Sequence, residues 1–277
     1  MIDNEKVALV TGSSRGIGFV TSITLARNGF RTYASMRNLD KEKEIRLVVD
    51  KEKIPLKTIQ LDVTDSTSVN NAIKSIMEQS GRIDVLVNNA GYGLVGAFEE
   101  LSIEEIKQQY ETNLFGVIRV TQAVLPIMRE QKSGIIVNIS SGAGRFGYPN
   151  GSAYVSTKFA LEGLSESVAY EVEAFGIKIV LVEPGFVRTN FSNVVAMKSQ
   201  SPTSQYLKMT EKMADNIEQM KLNSSPPELV ANVVLEAVTS KNPNLRYLAG
   251  KDVEQWMEQK KHMTDREFFS MIKQSLG

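Results

Sequence analysis

Cysteine is absent from the 277-residue chain and histidine occurs once, at His262. The first absence excludes disulfides, a thiolate nucleophile and any cysteine-ligated zinc or iron–sulfur centre. The second leaves no imidazole pair for a zinc or iron site, so no metal is expected. Charge of one sign is missing too: 32 basic residues balance 32 acidic ones. A nucleic-acid or anionic-membrane binder would carry a basic excess or stripe, and neither partner is expected. No apolar run approaches the roughly 18 residues that cross a bilayer, and Lys178 interrupts even Ile177 to Val182. The opening segment MIDNEK is acidic and does not resemble a signal peptide, so the cytoplasm is the expected location.

What is present is alternation. Val7 to Val10, Thr32 to Ser35, Leu56 to Leu61, Ile83 to Val87, Ile135 to Ile139 and Ile177 to Val182 read as buried strands. Helix-like stretches lie between them near 17 to 28, 40 to 52, 66 to 80, 103 to 131 and 153 to 175. Such alternation implies parallel strands with right-handed helical crossovers. The expected fold is a Rossmann-type α/β domain, a doubly wound parallel sheet of about seven strands in three α/β/α layers. Length would allow two domains of about 150 residues, but no linker or repeat divides the chain, so residues 1 to 277 are expected to form one.

Residues 186 to 225 break the pattern: they are polar, carry Met197, Met209, Met213 and Met220, and end at Ser224-Ser225-Pro226-Pro227. An insertion beyond a strand's carboxyl end lies where open α/β sheets bind ligands, so it reads either as a substrate lid or as a surface excursion. A helix from about 227 to 240, a last strand at Leu245 to Ala249 and a charged, amphipathic helical tail from about 251 to 277 complete the chain.

Strand one runs into Thr11-Gly12-Ser13-Ser14-Arg15-Gly16-Ile17-Gly18 and then a helix. Glycines there allow a tight turn in which backbone N–H groups and the helix N-terminus face a pyrophosphate. The spacing is G-x-x-x-G-x-G rather than the more usual G-x-G-x-x-G. An NAD site normally places an acid at the end of strand two, about 20 residues past the glycines, to hold both ribose hydroxyls. Here that region reads Tyr33-Ala34-Ser35-Met36-Arg37-Asn38. A carboxylate would repel a 2′-phosphate, whereas a guanidinium binds one through paired hydrogen bonds. Arg37 therefore points to NADP(H) in preference to NAD(H); the alternative, for it and for Arg15, is two solvated surface arginines.

Tyr154 and Lys158 stand i, i+4, on one helix face. Tyr247 and Lys251 repeat the spacing but straddle Gly250 after a presumed strand. Context favours the first pair, because Ser141 stands thirteen residues before Tyr154 and ends strand five, on the sheet edge that carries the glycines. Reduction of a ketone by hydride needs a proton donor for the developing alkoxide, and the reverse reaction needs a base. A free tyrosine titrates near about 10, so nearby positive charge must lower it for neutral operation. Lys158 and an oxidised nicotinamide can supply that charge, leaving Tyr154 as acid/base and Ser141 as hydrogen-bond partner of the substrate oxygen.

These segments together resemble the short-chain dehydrogenase/reductase family. The resemblance rests on T-G-x-x-x-G-x-G at 11 to 18, Asp62-Val63, Asn88-Asn89-Ala90-Gly91, Asn113 within Thr112 to Gly116, and Pro184-Gly185 before Thr189. It implies a cofactor site of Gly12, Ser14, Arg15, Gly16, Ile17, Gly18, Arg37, Asp62, Val63, Asn89, Ala90, Gly91, Tyr154, Lys158, Pro184, Gly185, Val187 and Thr189. Asp62-Val63 would contact adenine, although Asp62 could equally cap the following helix. Val187 and Thr189 would hold the nicotinamide carboxamide. Asn113, Ser141, Tyr154 and Lys158 would form the catalytic set, with Asn113 holding a relay water.

The resemblance further implies a homodimer or homotetramer packed through the helices at 103 to 131 and 153 to 175. Tyr33 to Arg37 and Phe159 to Ser167 are similar to the branch containing 17β-hydroxysteroid and retinol dehydrogenases. That similarity implies an apolar alcohol or carbonyl substrate, in a pocket of Tyr92, Leu94, Phe146, Tyr148, Phe186, Phe191 and the inserted methionines. The expected function is an NADP(H)-dependent oxidoreductase interconverting an alcohol and a carbonyl. Two alternatives remain: a non-catalytic NADP-sensing regulator, and a hydrolase using Ser141 and His262, which lacks a G-x-S-x-G elbow.

Overall fold

The β-branched runs form strands whose two faces are both covered, in a computed structural model that describes residues 5–189, 196–197, 203–222 and 224–276. In chain order the strands are β1 (Val7–Val10), β2 (Arg31–Met36), β3 (Leu56–Gln60), β4 (Val85–Asn88), β5 (Leu94–Val95), β6 (Gly134–Ile139), β7 (Ile177–Pro184), β8 (Ala196–Met197) and β9 (Arg246–Ala249). Seven of them make a parallel sheet in the order β3-β2-β1-β4-β6-β7-β9. The short β5 and β8 pair separately, Leu94 opposite Ala196. Within the main sheet Ala8 of β1 lies opposite Thr32 of β2 on one side and Val85 of β4 on the other. Winding reverses at β1, and such a switch point opens a crevice at the carboxyl ends of the strands.

The helices are α1 (Gly16–Arg27), α2 (Lys43–Glu52), α3 (Ser66–Ser80), α4 (Ile103–Tyr110), α5 (Gly116–Gln131), α6 (Ser152–Val172), α7 (Leu207–Leu222), α8 (Pro227–Thr239), α9 (Lys251–His262) and α10 (Asp265–Leu276). Alternate strand residues divide between two layers. Leu9, Leu86, Ile136 and Ile179 pack with Val69 and Ile73 of α3 and Val120 and Val124 of α5. Val10, Val87, Val137 and Val182 pack on the other face with Leu25 of α1 and Val230 and Val234 of α8. Each such fully buried side chain contributes roughly 1.5–3 kcal/mol. The single Rossmann-like α/β/α domain expected from the sequence is the fold observed.

Three elements differ from the sequence expectation. The stretch 103 to 131 is two helices joined by a π turn at Glu111–Phe115, which contains Asn113. The insertion contains α7, which buries Thr210 and Met213. The tail splits at Met263, because Thr264 and Glu267 form a fresh N-terminal cap: Thr264 N and Oγ1 both donate to Glu267 Oε2 at 2.8 Å. The amphipathic character expected of the tail is seen in α10, which buries Phe268, Ile272 and Leu276 against Phe146, Val253 and Met257. Among the described residues no helix is long and apolar enough to cross a membrane.

Candidate active site

The carboxyl ends of β1, β4, β6 and β7 open into one cavity of about 960 Å³. At one end lies the glycine turn. Gly12 and Gly16 have φ of +69° and +62°, a backbone region that side chains with a Cβ rarely adopt. A Cβ on Gly12 would stand 2.8 Å from Ala90 Cα, and one on Gly18 would collide with Asn89 Nδ2. Thr11 and Asn89 hold the turn against β4: Thr11 Oγ1 accepts from the Asn89 and Ala90 amides at 3.0 and 3.1 Å, while Asn89 Nδ2 donates to the Thr11 and Gly12 carbonyls. The N-terminus of α1 has neither a side-chain cap nor an acid in its first turn, so its amides suit an anion. A close backbone cradle on an uncapped helix end fits the pyrophosphate of a dinucleotide.

Ser14, Arg15, Ile17, Gly91, Met36 and Arg37 line this end. Arg15 and Arg37 are exposed, and β2 ends in buried Met36 where an acid would hold ribose. Lys41, which the motif reasoning missed, adds a third cation to the wall. Asp62 and Val63 also line it. Asp62 Oδ1 accepts from Thr64 N at 3.0 Å and Thr64 Oγ1 at 2.8 Å, closing a turn, while the cap of α3 is Asp65.

At the middle of the cavity stand Ser141, Tyr154 and Lys158, with Pro184, Gly185, Val187 and Thr189 opposite. Because α6 begins at Ser152, Tyr154 and Lys158 fall one turn apart on the face toward β6. Lys158 Nζ donates to the Ile139 carbonyl at 2.8 Å and lies 5.7 Å from the centroid of the Tyr154 ring. Ser141 is hydrogen-bonded to Tyr154, and its Oγ accepts from Ala143 N at 3.1 Å. Asn113 is brought close but not to the cavity wall. Its Oδ1 accepts from Tyr92 N at 3.0 Å and its Nδ2 donates to Tyr92 O at 2.8 Å and to Thr157 Oγ1 at 3.3 Å. Its side chain thus fastens the π turn to the segment after β4.

Burial acts on both members of the pair. Desolvation pushes the Tyr154 phenol up to about 12, outweighing the hydrogen bond with Ser141. Lys158 is itself driven down to about 8 by burial, against the pull of Glu162. A phenol raised in this way is protonated at neutral pH and is placed to donate rather than accept.

The loop after β7 is held by a residue that sequence reasoning missed. Asp252 Oδ2 accepts from Phe186 N at 2.7 Å, and a Cβ on Gly185 would collide with the same carboxylate. Its signal was an acid in the first turn of the tail helix. The far end of the cavity is apolar, walled by Phe146, Phe186, Met213, Ile217, Trp256 and Leu276. Phe146 and Trp256 meet edge to face with centroids 5.2 Å apart. Tyr92 and Tyr148 join this lining, whereas Leu94 turns into a separate buried cluster with Leu101 and Ala153. Phe191 lies outside the described residues. The second Tyr–Lys pair is no site: Tyr247 is on β9 and its hydroxyl accepts from Asn244 N. His262 is exposed on α9 beside Glu258, so no serine–histidine pair forms with Ser141.

The short chain dehydrogenase family model matches residues 6–200. Oxidoreductase BOA17 of Botryotinia fuckeliana is 39% identical over 89% of this chain and 89% of its own length. Bovine retinol dehydrogenase 8 is 35% identical over 89% of this chain and 82% of its own, and human 17-beta-hydroxysteroid dehydrogenase type 1 is 35% identical over 87% and 76%. A short-chain dehydrogenase structure from Streptomyces avermitilis superposes with a TM-score of 0.84 at 34% identity, covering 99% of this chain and 98% of that one. An alcohol dehydrogenase from Thermococcus sibiricus complexed with 5-hydroxy-NADP superposes at 0.74 with 27% identity, over 88% and 96%. The chain belongs to the short-chain dehydrogenase/reductase family, on the branch that includes the retinol and 17β-hydroxysteroid dehydrogenases.

Proposed function

We propose that the protein is an NADP(H)-dependent oxidoreductase that interconverts an apolar ketone or aldehyde and its alcohol, with Tyr154 as the general acid/base. The observation that carries this reading is the position of Ser141, Tyr154 and Lys158 between the glycine turn and the apolar chamber of one cavity. Gly12 to Gly18 and the α1 N-terminus would bind the pyrophosphate, Asp62 and Val63 the adenine, and Asn89 to Gly91 the adjoining ribose. Pro184, Gly185, Val187 and Thr189 would seat the nicotinamide, which supplies the hydride when bound. Ser141 orients the substrate oxygen, Tyr154 delivers a proton to it as negative charge develops, and Lys158 stabilises the phenolate left behind. Asn113 fixes the turn beside them.

Arg15, Arg37 and Lys41 beside Met36 support NADP(H), since a 2′-phosphate gains from cations there and meets no carboxylate. The aromatic and aliphatic chamber supports an apolar substrate. Exposed Phe115, Phe159 and Tyr170 on the α5 and α6 side support a homodimer or homotetramer. The test is NADPH oxidation by the purified protein with steroids, retinoids, aliphatic ketones and sugars. Turnover of apolar carbonyls is expected; turnover of sugars alone, or NADPH binding with no turnover at all, overturns the reading.

A further inference from the structure

Behind the Tyr154–Lys158 pair lies a charged cluster that the proposed reaction does not use. Glu162 follows Lys158 by one turn of α6, so Tyr154, Lys158 and Glu162 form a single stripe. Glu162 is buried. Its Oε2 accepts from Arg246 Nε at 3.0 Å. Its Oε1 is buried with no hydrogen-bond partner, as is Ser140 Oγ at the end of β6. The two atoms converge on Gly144, where a Cβ would stand 2.9 Å from Ser140 Oγ and 3.2 Å from Glu162 Oε1. Ser140 follows Ile139, whose carbonyl holds Lys158 Nζ. The unbonded carboxylate oxygen and the buried ammonium therefore share the end of β6. A buried charged oxygen without a hydrogen bond is costly and calls for a compensating charge.

We propose that Glu162 is a positioning residue for the reaction, its buried carboxylate holding Lys158 in the charged form that the Tyr154 pair requires. The proposal rests on the reading of Tyr154 and Lys158 as the acid–base pair. A lysine with so little solvent keeps its proton only if a negative charge offsets desolvation. Burial alone drives Lys158 downward and Glu162 opposes it. The strength of that support is set from outside the stripe. Arg246 of β9 divides its guanidinium between Glu162, Glu166 at 3.1 Å and Glu183 at 3.4 Å. Glu183 of β7, which burial and Glu162 push up, takes Arg145 at 3.0 Å as its second partner. Glu162 is then incompletely neutralised, and its remaining field falls on Lys158.

The test is a pH titration of the Lys158 side-chain carbons by nuclear magnetic resonance in the full-length protein, with the signal assigned by its loss in Lys158→Met. Glu162→Gln is expected to lower the Lys158 midpoint by about one pH unit, a tenfold loss of proton affinity. Glu162→Asp should stay near wild type, and Glu166→Gln, which removes an exposed, solvent-screened partner of the same arginine, should move the midpoint far less than Glu162→Gln does; an equal shift overturns the proposal. If Glu162→Gln fails to fold by circular dichroism, Glu162→Met supplies the same test, because it replaces the buried ion by an apolar chain of similar length. An unchanged midpoint in the folded charge-removing variant overturns the proposal. So does a Glu162→Asp midpoint as low as that of Glu162→Gln. Turnover by Tyr154→Phe is measured alongside. Its loss leaves the acid–base reading standing whatever Glu162 does, whereas full turnover overturns both.

Discussion

Lys158 Nζ sits 5.7 Å from the centre of the Tyr154 ring while its hydrogen bond runs to the Ile139 carbonyl. The ammonium is thereby anchored to the sheet, next to the phenol, with N–H groups left for further acceptors. Replacing Tyr154 by Phe removes only the hydroxyl. Turnover of a carbonyl substrate is expected to fall by about 10²–10⁴-fold, while NADPH binding, followed by cofactor fluorescence, stays within a few-fold of wild type. Retained turnover would place the proton donor elsewhere.

The cofactor preference is tested at β2's end. Hydrogen bonds to charged groups contribute about 1.5–3 kcal/mol, so Arg37→Glu should raise the KM for NADPH by roughly 10- to 150-fold. The KM for NADH should hold or fall, because the new carboxylate can accept from both ribose hydroxyls. Steady-state kinetics with both cofactors decide it, and parallel changes in the two constants would count against a 2′-phosphate site.

Burial of Lys158 also has a measurable cost in stability. Its proton is lost near about 8 in the folded protein and near 10.5 in the unfolded chain. Between these values the unfolded chain binds more protons, so stability must rise with pH. The penalty is fully present below about pH 8 and disappears toward pH 10.5. Urea unfolding of wild type against Lys158→Met should show wild type gaining about 3 kcal/mol over that window relative to the variant. A difference independent of pH would contradict the depressed lysine.

Trp256 is the only tryptophan of the chain and it lines the apolar chamber. An apolar carbonyl should therefore change its fluorescence on binding, and a sugar should not. Removing that surface by Trp256→Ala should raise the KM for apolar substrates by about 10-fold or more with a smaller change in kcat. A kcat defect with unchanged KM would mean that Trp256 shapes the fold rather than the chamber.

Phe159 and Tyr170 are 46% and 76% exposed on the outer side of α6. If this face packs against another copy, Phe159→Glu should shift light-scattering mass toward the monomer of 30.7 kDa. A variant of unchanged mass would remove α6 from the interface.

The strands and the glycine turn are legible because their signals are local: β-branched runs between helical stretches, and glycines where a Cβ has no room. The Tyr154–Lys158 pair is legible for the same reason, since one helical turn brings them together. Less visible is what depends on distant partners. Asp252 reaches the Pro184–Gly185 loop across 66 residues of sequence. Trp256 and Leu276 reach the cavity from a charged, amphipathic tail whose sequence does not say what its apolar face covers. The spacing of Met213, Ile217 and Met220 was a usable trace of α7, masked by the polar residues around it. Burial, which raises the Tyr154 phenol and lowers the Lys158 ammonium, is not displayed by the sequence.

The neighbours of β1 in the sheet are β2 and β4, and the second of these arrives 77 residues later, when Val7 N donates to Asp84 Oδ2 just before β4. The glycine turn therefore acquires its other wall, Asn89 and Ala90, only after three helices have been placed. Such long-range pairing is slow to form. A nucleotide should accordingly ignore early collapsed states and bind only once β4 has docked. Refolding followed by NADPH fluorescence would thus time sheet assembly, separately from the helix content that circular dichroism records.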